Sequence, residues 1–222
     1  MRNLRVKILR VFLVLALLSE VGRALFIEYP LPVIKGVRKV VDRGSVGFEW
    51  DSVAKYPYVT GINIYRAKAR PGINQVYTKI ASIPNRFATH FVDTKIEPNT
   101  KYFYTFTTIS GLNESAYGDI VPVKTKPPYK KVKVISAEVV AKDTVKILWV
   151  PSSEPQIYKY IIQRKKDNFP KWFYLDSVKG RLMPEYIDMT AKRGHTYQYR
   201  VIGVDANGLG SIVSDVLKVE VK

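Results

Sequence analysis

From Pro30 onward the chain is written in short runs that alternate apolar and polar residues, each ended by Gly, Pro, Asn or Asp. A period of two is the signature of a strand with one buried face, and no stretch beyond the first residues keeps a helical period. The run "TYQYRVIGVDANGLGS", Thr196–Ser211, is typical. As a strand it places Tyr197, Tyr199, Val201 and Gly203 on one face and Gln198, Arg200 and Ile202 on the other. Asp205–Gly208, "DANG", then turns the chain, because Asn and Gly accept positive backbone dihedrals. In the first half the same reading predicts strands over 46–51, 59–68, 76–83, 90–93, 101–110 and 119–125, with a first strand over 32–37.

The two halves match block by block. Val46–Ser52 aligns with Val145–Pro151, placing Trp149 99 residues after Trp50. Gly61–Arg66 aligns with Lys159–Arg164 at an offset of 98, and His90–Phe106 with Glu185–Val201 at 95. The offset changes only between blocks, as loops of different length require, so the chain carries an internal duplication. About seven strands in roughly 100 residues is the size of an immunoglobulin-like sandwich. The predicted fold class is all-β, two consecutive sandwiches, with domains at 25–127 and 128–222. Trp50, Tyr102, Trp149 and Tyr197 are the expected core anchors.

These residues resemble the fibronectin type III family over nearly all of Tyr29–Lys222. The resemblance rests on a Trp in the second strand (Trp50, Trp149), the Y-x-Y-x-V style of the sixth strand, and the Asp some nine residues earlier (Asp93, Asp188). It implies a tyrosine corner, in which the hydroxyls of Tyr102 and Tyr197 bond to backbone upstream. Phe106 and Thr108 depart from the Val and Ala usual in that family, which bears on packing more than on fold. The module hosts many functions, so the resemblance implies no activity.

Composition alters this picture at the N-terminus and in the charge. Arg2, Arg5, Lys7 and Arg10 precede the apolar run Val11–Leu18, which is short for a membrane span, and Gly22 and Ala24 supply small residues for cleavage. Residues 1–24 read as a secretory signal peptide; the alternative is an uncleaved segment that tethers the chain to a membrane. The absence of cysteine excludes a disulfide framework and a thiol for lipid anchoring, leaving the core to stabilise an exported chain. That style points to a bacterial envelope, periplasmic or secreted protein. The signal's five basic and one acidic residues account for +4 of the net +17, leaving +13, spread as +6 and +7 over the two repeats. A spread positive charge predicts attraction to anionic surfaces, whereas export argues against nucleic acid as the physiological partner.

Catalytic chemistry has few residues to draw on. His90 and His195 stand at non-equivalent positions, belong to no metal-ligand spacing, and read as strand-edge or turn residues. "GLGS", Gly208–Ser211, lacks the Lys-Ser/Thr of a phosphate loop. Asp93 and Asp188 are equivalent positions of separate repeats, so they read as structural. No catalytic, cofactor or metal site is expected, and no enzyme activity. The one stretch that departs from its sister is "QRKKDNFPKWFY", Gln163–Tyr174, where Trp172, Phe173 and Tyr174 align with Tyr77, Thr78 and Lys79. Alternation cannot bury all three aromatics, so at least one reaches the surface among Arg164, Lys165, Lys166 and Lys171. These seven residues are the expected partner-binding site, for a protein or an envelope glycan. The bland reading is that Trp172 or Phe173 covers an open sheet face. Three functions fit: an adhesion, interaction or spacer module; a pilus-type assembly chaperone donating an edge strand; and a polyanion or glycan binder.

Overall fold

The computed structural model describes residues 30–72 and 74–222; the expected signal segment lies outside the described residues. They form fifteen strands: β1 (Arg38–Val41), β2 (Val46–Glu49), β3 (Gly61–Lys68), β4 (Thr78–Ile83), β5 (His90–Asp93), β6 (Lys101–Ser110), β7 (Asn113–Glu114), β8 (Val121–Lys124), β9 (Val134–Ala141), β10 (Thr144–Trp149), β11 (Ile157–Lys166), β12 (Phe173–Lys179), β13 (Glu185–Asp188), β14 (His195–Asp205) and β15 (Leu217–Val221). Among the described residues no helix is long and apolar enough to cross a membrane. The chain is an all-β protein of antiparallel sheets.

By compactness it divides into two units. One contains residues 30–38 with Glu49–His90 and Phe103–Val121, and the other contains Lys39–Phe48, Phe91–Tyr102 and Pro122–Lys222. The first holds the sheet ordered β4-β3-β6-β7. Trp50 is 1% exposed and stacks on Phe106 at 5.2 Å between ring centres, while its indole N–H donates to the Ala88 carbonyl at 3.0 Å. The predicted strand over 32–37 does not form; β1 begins at Arg38 instead. Pro30 and Pro32 have no N–H to give a ladder, and Gly36 sits at φ +64°, outside the extended region. The segment is held by single bonds instead, from Thr108 Oγ1 to the Pro32 carbonyl (2.7 Å) and from the Asp51 N–H to the Lys35 carbonyl (3.1 Å).

The second unit contains the sheets β1-β2-β5, β13-β10-β9 and β12-β11-β14-β15. In its C-terminal part the last two share one apolar core. Val145, Ile147 and Trp149 of β10 come from one sheet, and Tyr160, Ile162, Tyr197, Tyr199 and Val201 come from the other. Both strand faces obey the alternation read from the sequence: along β14 the buried positions are Tyr197, Tyr199 and Val201, with Gln198 and Arg200 between them only half-buried. The "DANG" turn closes as its residues dictate. Gly208, at φ +86°, donates to the Asp205 carbonyl, and the Asp205 carboxylate accepts the N–H groups of Asn207 and Leu209.

The duplication is visible in bond detail. Tyr102 Oη accepts the Glu97 N–H and Tyr197 Oη accepts the Lys192 N–H, each at 2.9 Å and each five residues upstream. Asp93 and Asp188 each accept the N–H two residues ahead at 2.9 Å. Tyr65 of β3 faces Lys79 of β4, and Gln163 of β11 faces Tyr174 of β12; beside each pair one residue, Ile80 or Leu175, bulges out of register. A bulge adds twist to an edge strand and blunts it against further pairing. The long edge strand β9 carries register shifts next to both of its ends as well.

Trp149 is 1% exposed and stacks on Tyr160 at 5.2 Å, so Trp149→Ala is expected to cost about 3 to 5 kcal/mol through the cavity it leaves. Tyr197→Phe, which strips one hydrogen bond from a buried ring, is expected to cost about 0.5 to 1.5 kcal/mol. Urea denaturation reads both; a Trp149→Ala midpoint equal to that of the parent would contradict the core placement.

Candidate functional site

Strands β11 and β14 lie side by side, with Gln163 opposite Arg200, Arg164 opposite Tyr199 and Lys165 opposite Gln198. Successive residues of a strand point to opposite faces, so Arg164 and Arg200 belong to different sides of one sheet. The structure gives them opposite electrostatic surroundings.

Arg164 faces the core side. Its Nη1 donates to Asp188 Oδ2 at 2.7 Å and to Thr190 Oγ1 at 2.8 Å, and its guanidinium carbon stands 4.9 Å from the centre of the Tyr197 ring. Asp188 is fully buried, and its carboxylate is saturated: Tyr199 Oη donates to Oδ2 at 2.7 Å, and the Thr190 hydroxyl and N–H donate to Oδ1 at 2.7 and 2.9 Å. Burial pushes the Asp188 carboxyl up, but the bonds from Tyr199, Thr190 and Arg164 outweigh it and hold the group below the ordinary range. Burial, with the bond to Asp188, also pushes the Tyr199 phenol well above its ordinary value. Arg164, expected in the partner-binding set, is therefore spent on an internal ion pair.

Arg200 faces outward and half-buried. Its Nε donates to Gln163 Oε1 at 2.7 Å, and its guanidinium carbon lies 4.3 Å from the centre of the Trp172 ring. Lys165 Nζ reaches the same indole at 5.4 Å. Burial alone shifts Arg200, downward, with no carboxylate to oppose it. Trp172 thus lies half-buried beside the two cations, as the bland reading of the sequence had one aromatic do. Phe173 and Tyr174 are 53% and 61% exposed, and Phe173 stacks on Phe169 of the preceding loop at 5.2 Å. Lys166, the last residue of β11, and Lys171, in the loop that follows, are exposed. That loop is pinned at Asp167, a residue at φ +47° whose carboxylate takes the Thr196 N–H and meets His195 Nδ1, each at 2.9 Å. Of the seven expected site residues, the structure gathers Lys165, Trp172 and Tyr174 on the outward face, edged by Lys166 and Lys171, whereas Arg164 and Phe173, paired across β11 and β12, belong to the other side of the sheet.

Arg200 and Gln163 complete the patch and were absent from the expected site. The alternation of β14 already placed Arg200 outward, yet only the β11–β14 register shows that it meets Gln163 and Trp172. A second polar cluster also escaped the sequence. Glu114 Oε1 accepts Asn63 Nδ2 at 2.9 Å, Tyr65 Oη at 2.7 Å and the Thr107 hydroxyl, beneath a group of three rings, Tyr65, Tyr77 and Tyr117. His90 and His195 each begin a strand, and among the described residues no three His, Asp or Glu side chains are placed to hold a metal ion.

No family model matches the sequence, and no curated protein matches it. The chain is similar to tandem fibronectin type III structures. The FN1–FN3 domains of chicken CNTN1 match 87% of this chain and 68% of their own at 13% identity and a TM-score of 0.43. A two-domain fibronectin type III segment of chicken tenascin matches 85% of this chain and 98% of its own at 14% identity and a TM-score of 0.35.

The depressed Asp188 carboxyl sets a pH dependence. Its folded value lies below that of the unfolded chain, near 3.9, so its contribution is complete above that value and is lost as pH falls through the folded one. Asp188→Asn leaves Arg164 without its counter-charge and is expected to destabilise by about 3 to 5 kcal/mol at neutral pH. In urea melts across the acid range the gap between variant and parent should narrow; a gap that widened toward acid would contradict the assignment.

Proposed function

We propose that the chain is an exported, non-enzymatic interaction module of the cell envelope, acting in adhesion or assembly through its second repeat. In this reading residues 1–24 direct export, and two fibronectin type III-like modules, 25–127 and 128–222, follow. The single observation that carries it is the patch on the second repeat, where Trp172 lies beside Lys165 and Arg200 and Tyr174 stands exposed on the same face of the sheet. At the positions of Phe173 and Tyr174 the first repeat has Thr78 and Lys79. Exposed aromatics beside arginine are the composition of binding hot spots. A strand-donating chaperone is less well supported, because the hairpin after β6 is short and holds only the two-residue strand β7.

The test is capture in the native envelope. The tagged chain, with its own N-terminal segment, is crosslinked in place and co-purifying proteins and glycans are identified by mass spectrometry. A dominant partner, lost in Tyr174→Ala with Arg200→Gln, is the expected result. Recovery of background alone from a folded parent would overturn the interaction reading and leave a spacer.

A further inference from the structure

Cross-strand register lays two rows of unlike groups on the outer face of the sheet β12-β11-β14-β15. In one row Tyr174 of β12, Gln163 of β11 and Arg200 of β14 stand opposite one another. In the next, two residues along, Lys165 of β11, Gln198 of β14 and Lys218 of β15 do the same. Neighbouring strands lie about 4.8 Å apart and alternate residues about 7 Å, so the six side chains bring one aromatic ring, two amides and three cations into one compact area. The Tyr174 ring is 61% exposed. Gln163 accepts the Arg200 Nε–H on its Oε1 at 2.7 Å, which leaves its amide N–H groups to donate, and among the described residues the Gln198 amide has no partner. Among the described residues no carboxylate pairs with Lys165, Arg200 or Lys218, and Glu220, the next outward residue of β15, is taken by Lys222 at 3.8 Å. A half-buried cation such as Arg200 is costly without a counter-charge. Arg200 is also held still, by Gln163 at its Nε and by the Trp172 ring 4.3 Å away, so its two terminal nitrogens form a fixed fork for a carboxylate.

From this we propose that the outer face of β12, β11, β14 and β15 binds an acidic polysaccharide, a chain of sugar rings that carry carboxylates. Arg200, Lys165 and Lys218 take the carboxylates, the Gln163 and Gln198 amides take ring hydroxyls, and the exposed Tyr174 ring takes the apolar C–H face of a sugar. The proposal rests on the reading of the chain as an interaction module and names its partner's chemistry. Charge complementarity fixes the sign. The amides choose the class of macromolecule: each row mixes amide and cation, as a uronic sugar mixes hydroxyl and carboxylate, and the step between strands is close to the length of one sugar ring in a chain. A nucleic-acid strand stacks successive bases on successive rings, whereas Tyr174 is the one ring in either row and the Trp172 indole beside it is engaged by two cations. An acidic peptide is anchored by aromatic or aliphatic side chains packed into a recess, whereas the two rows offer a single exposed ring on an open sheet face.

Fluorescence anisotropy with four labelled oligomers of matched length tests this: oligogalacturonate, which has sugar and carboxylate; dextran, which has sugar alone; oligoglutamate, which has carboxylate alone; and oligo-dT. Oligogalacturonate should bind tightest, and Arg200→Gln should weaken it about tenfold, the loss of one charge-assisted fork. Gln198→Ala, which alters no charge, should weaken it about threefold, the loss of one neutral hydrogen bond, and leave oligoglutamate binding unchanged. Lys142→Gln, which removes an exposed charge from the turn between β9 and β10 in the other sheet, should weaken it less than about twofold. Circular dichroism and urea melts of each variant establish that it is folded. Oligoglutamate or oligo-dT binding as tightly as oligogalacturonate, equal losses at Arg200 and Lys142, or no loss at Gln198 would overturn the proposal in favour of a general anion surface. Dextran binding as tightly as oligogalacturonate, or no oligogalacturonate binding by the folded parent, would overturn it too. If the envelope capture still yields a partner sensitive to Tyr174→Ala with Arg200→Gln, the interaction reading survives that failure; if it does not, both fall.

Discussion

The ion pair between Arg164 and Asp188 is the contact on which the rest of the C-terminal sheets depends. Arg164 comes from β11 in one sheet and Asp188 from β13 in the other, so the pair ties two layers together across the core. Its hydrogen bonds have only one geometry that satisfies them, with Tyr199, Thr190 and Arg164 converging on a carboxylate that has no access to water. A slip of β11 by one residue would turn Arg164 to the outer face and put Gln163 or Lys165 in its place, breaking the contact that one guanidinium nitrogen makes with both Asp188 and Thr190. Burying a charge in this way adds little net stability, but it penalises every other register.

The fixed register sets the outer face. With Arg164 inward, Gln163 and Lys165 must point out, and the facing strand then brings Arg200 to Gln163. The Trp172 indole settles beside the cations this creates. The bulge at Leu175 shifts the pairing of β12 so that Tyr174 falls opposite Gln163, on the same outward side. The charge of the outer face is therefore a consequence of the internal constraint on the other.

The fold was largely legible in the sequence because its signals are local or repeated. Alternation along β14, the aligned tryptophans and tyrosines, and the "DANG" turn each need only a few neighbouring residues to be read. The strand expected over 32–37 was misplaced because its apolar β-branched residues read as a strand, while Pro32 and the positive φ of Gly36 forbid a ladder. The patch was half legible. Three consecutive aromatics announce an exposed side chain, but whether a neighbouring arginine faces in or out depends on a partner strand about thirty-five residues away. Arg164 and Arg200 look alike in sequence, and only cross-strand register separates the neutralised one from the free one. The Glu114 cluster was hidden for the same reason, since Asn63, Tyr65 and Thr107 are gathered from two strands onto a two-residue third.

The most direct measurement is a double-mutant cycle that compares the two arginines against one carboxylate. Unfolding free energies of Arg164→Met, Arg200→Met and Asp188→Asn would be measured singly and in pairs at neutral pH. The account predicts that Arg164 and Asp188 couple by about 2 kcal/mol or more, whereas Arg200 and Asp188 are additive within about 0.5 kcal/mol. Equal coupling of both arginines to Asp188, or none for either, would contradict the division of the sheet into a neutralised inner face and a charged outer one.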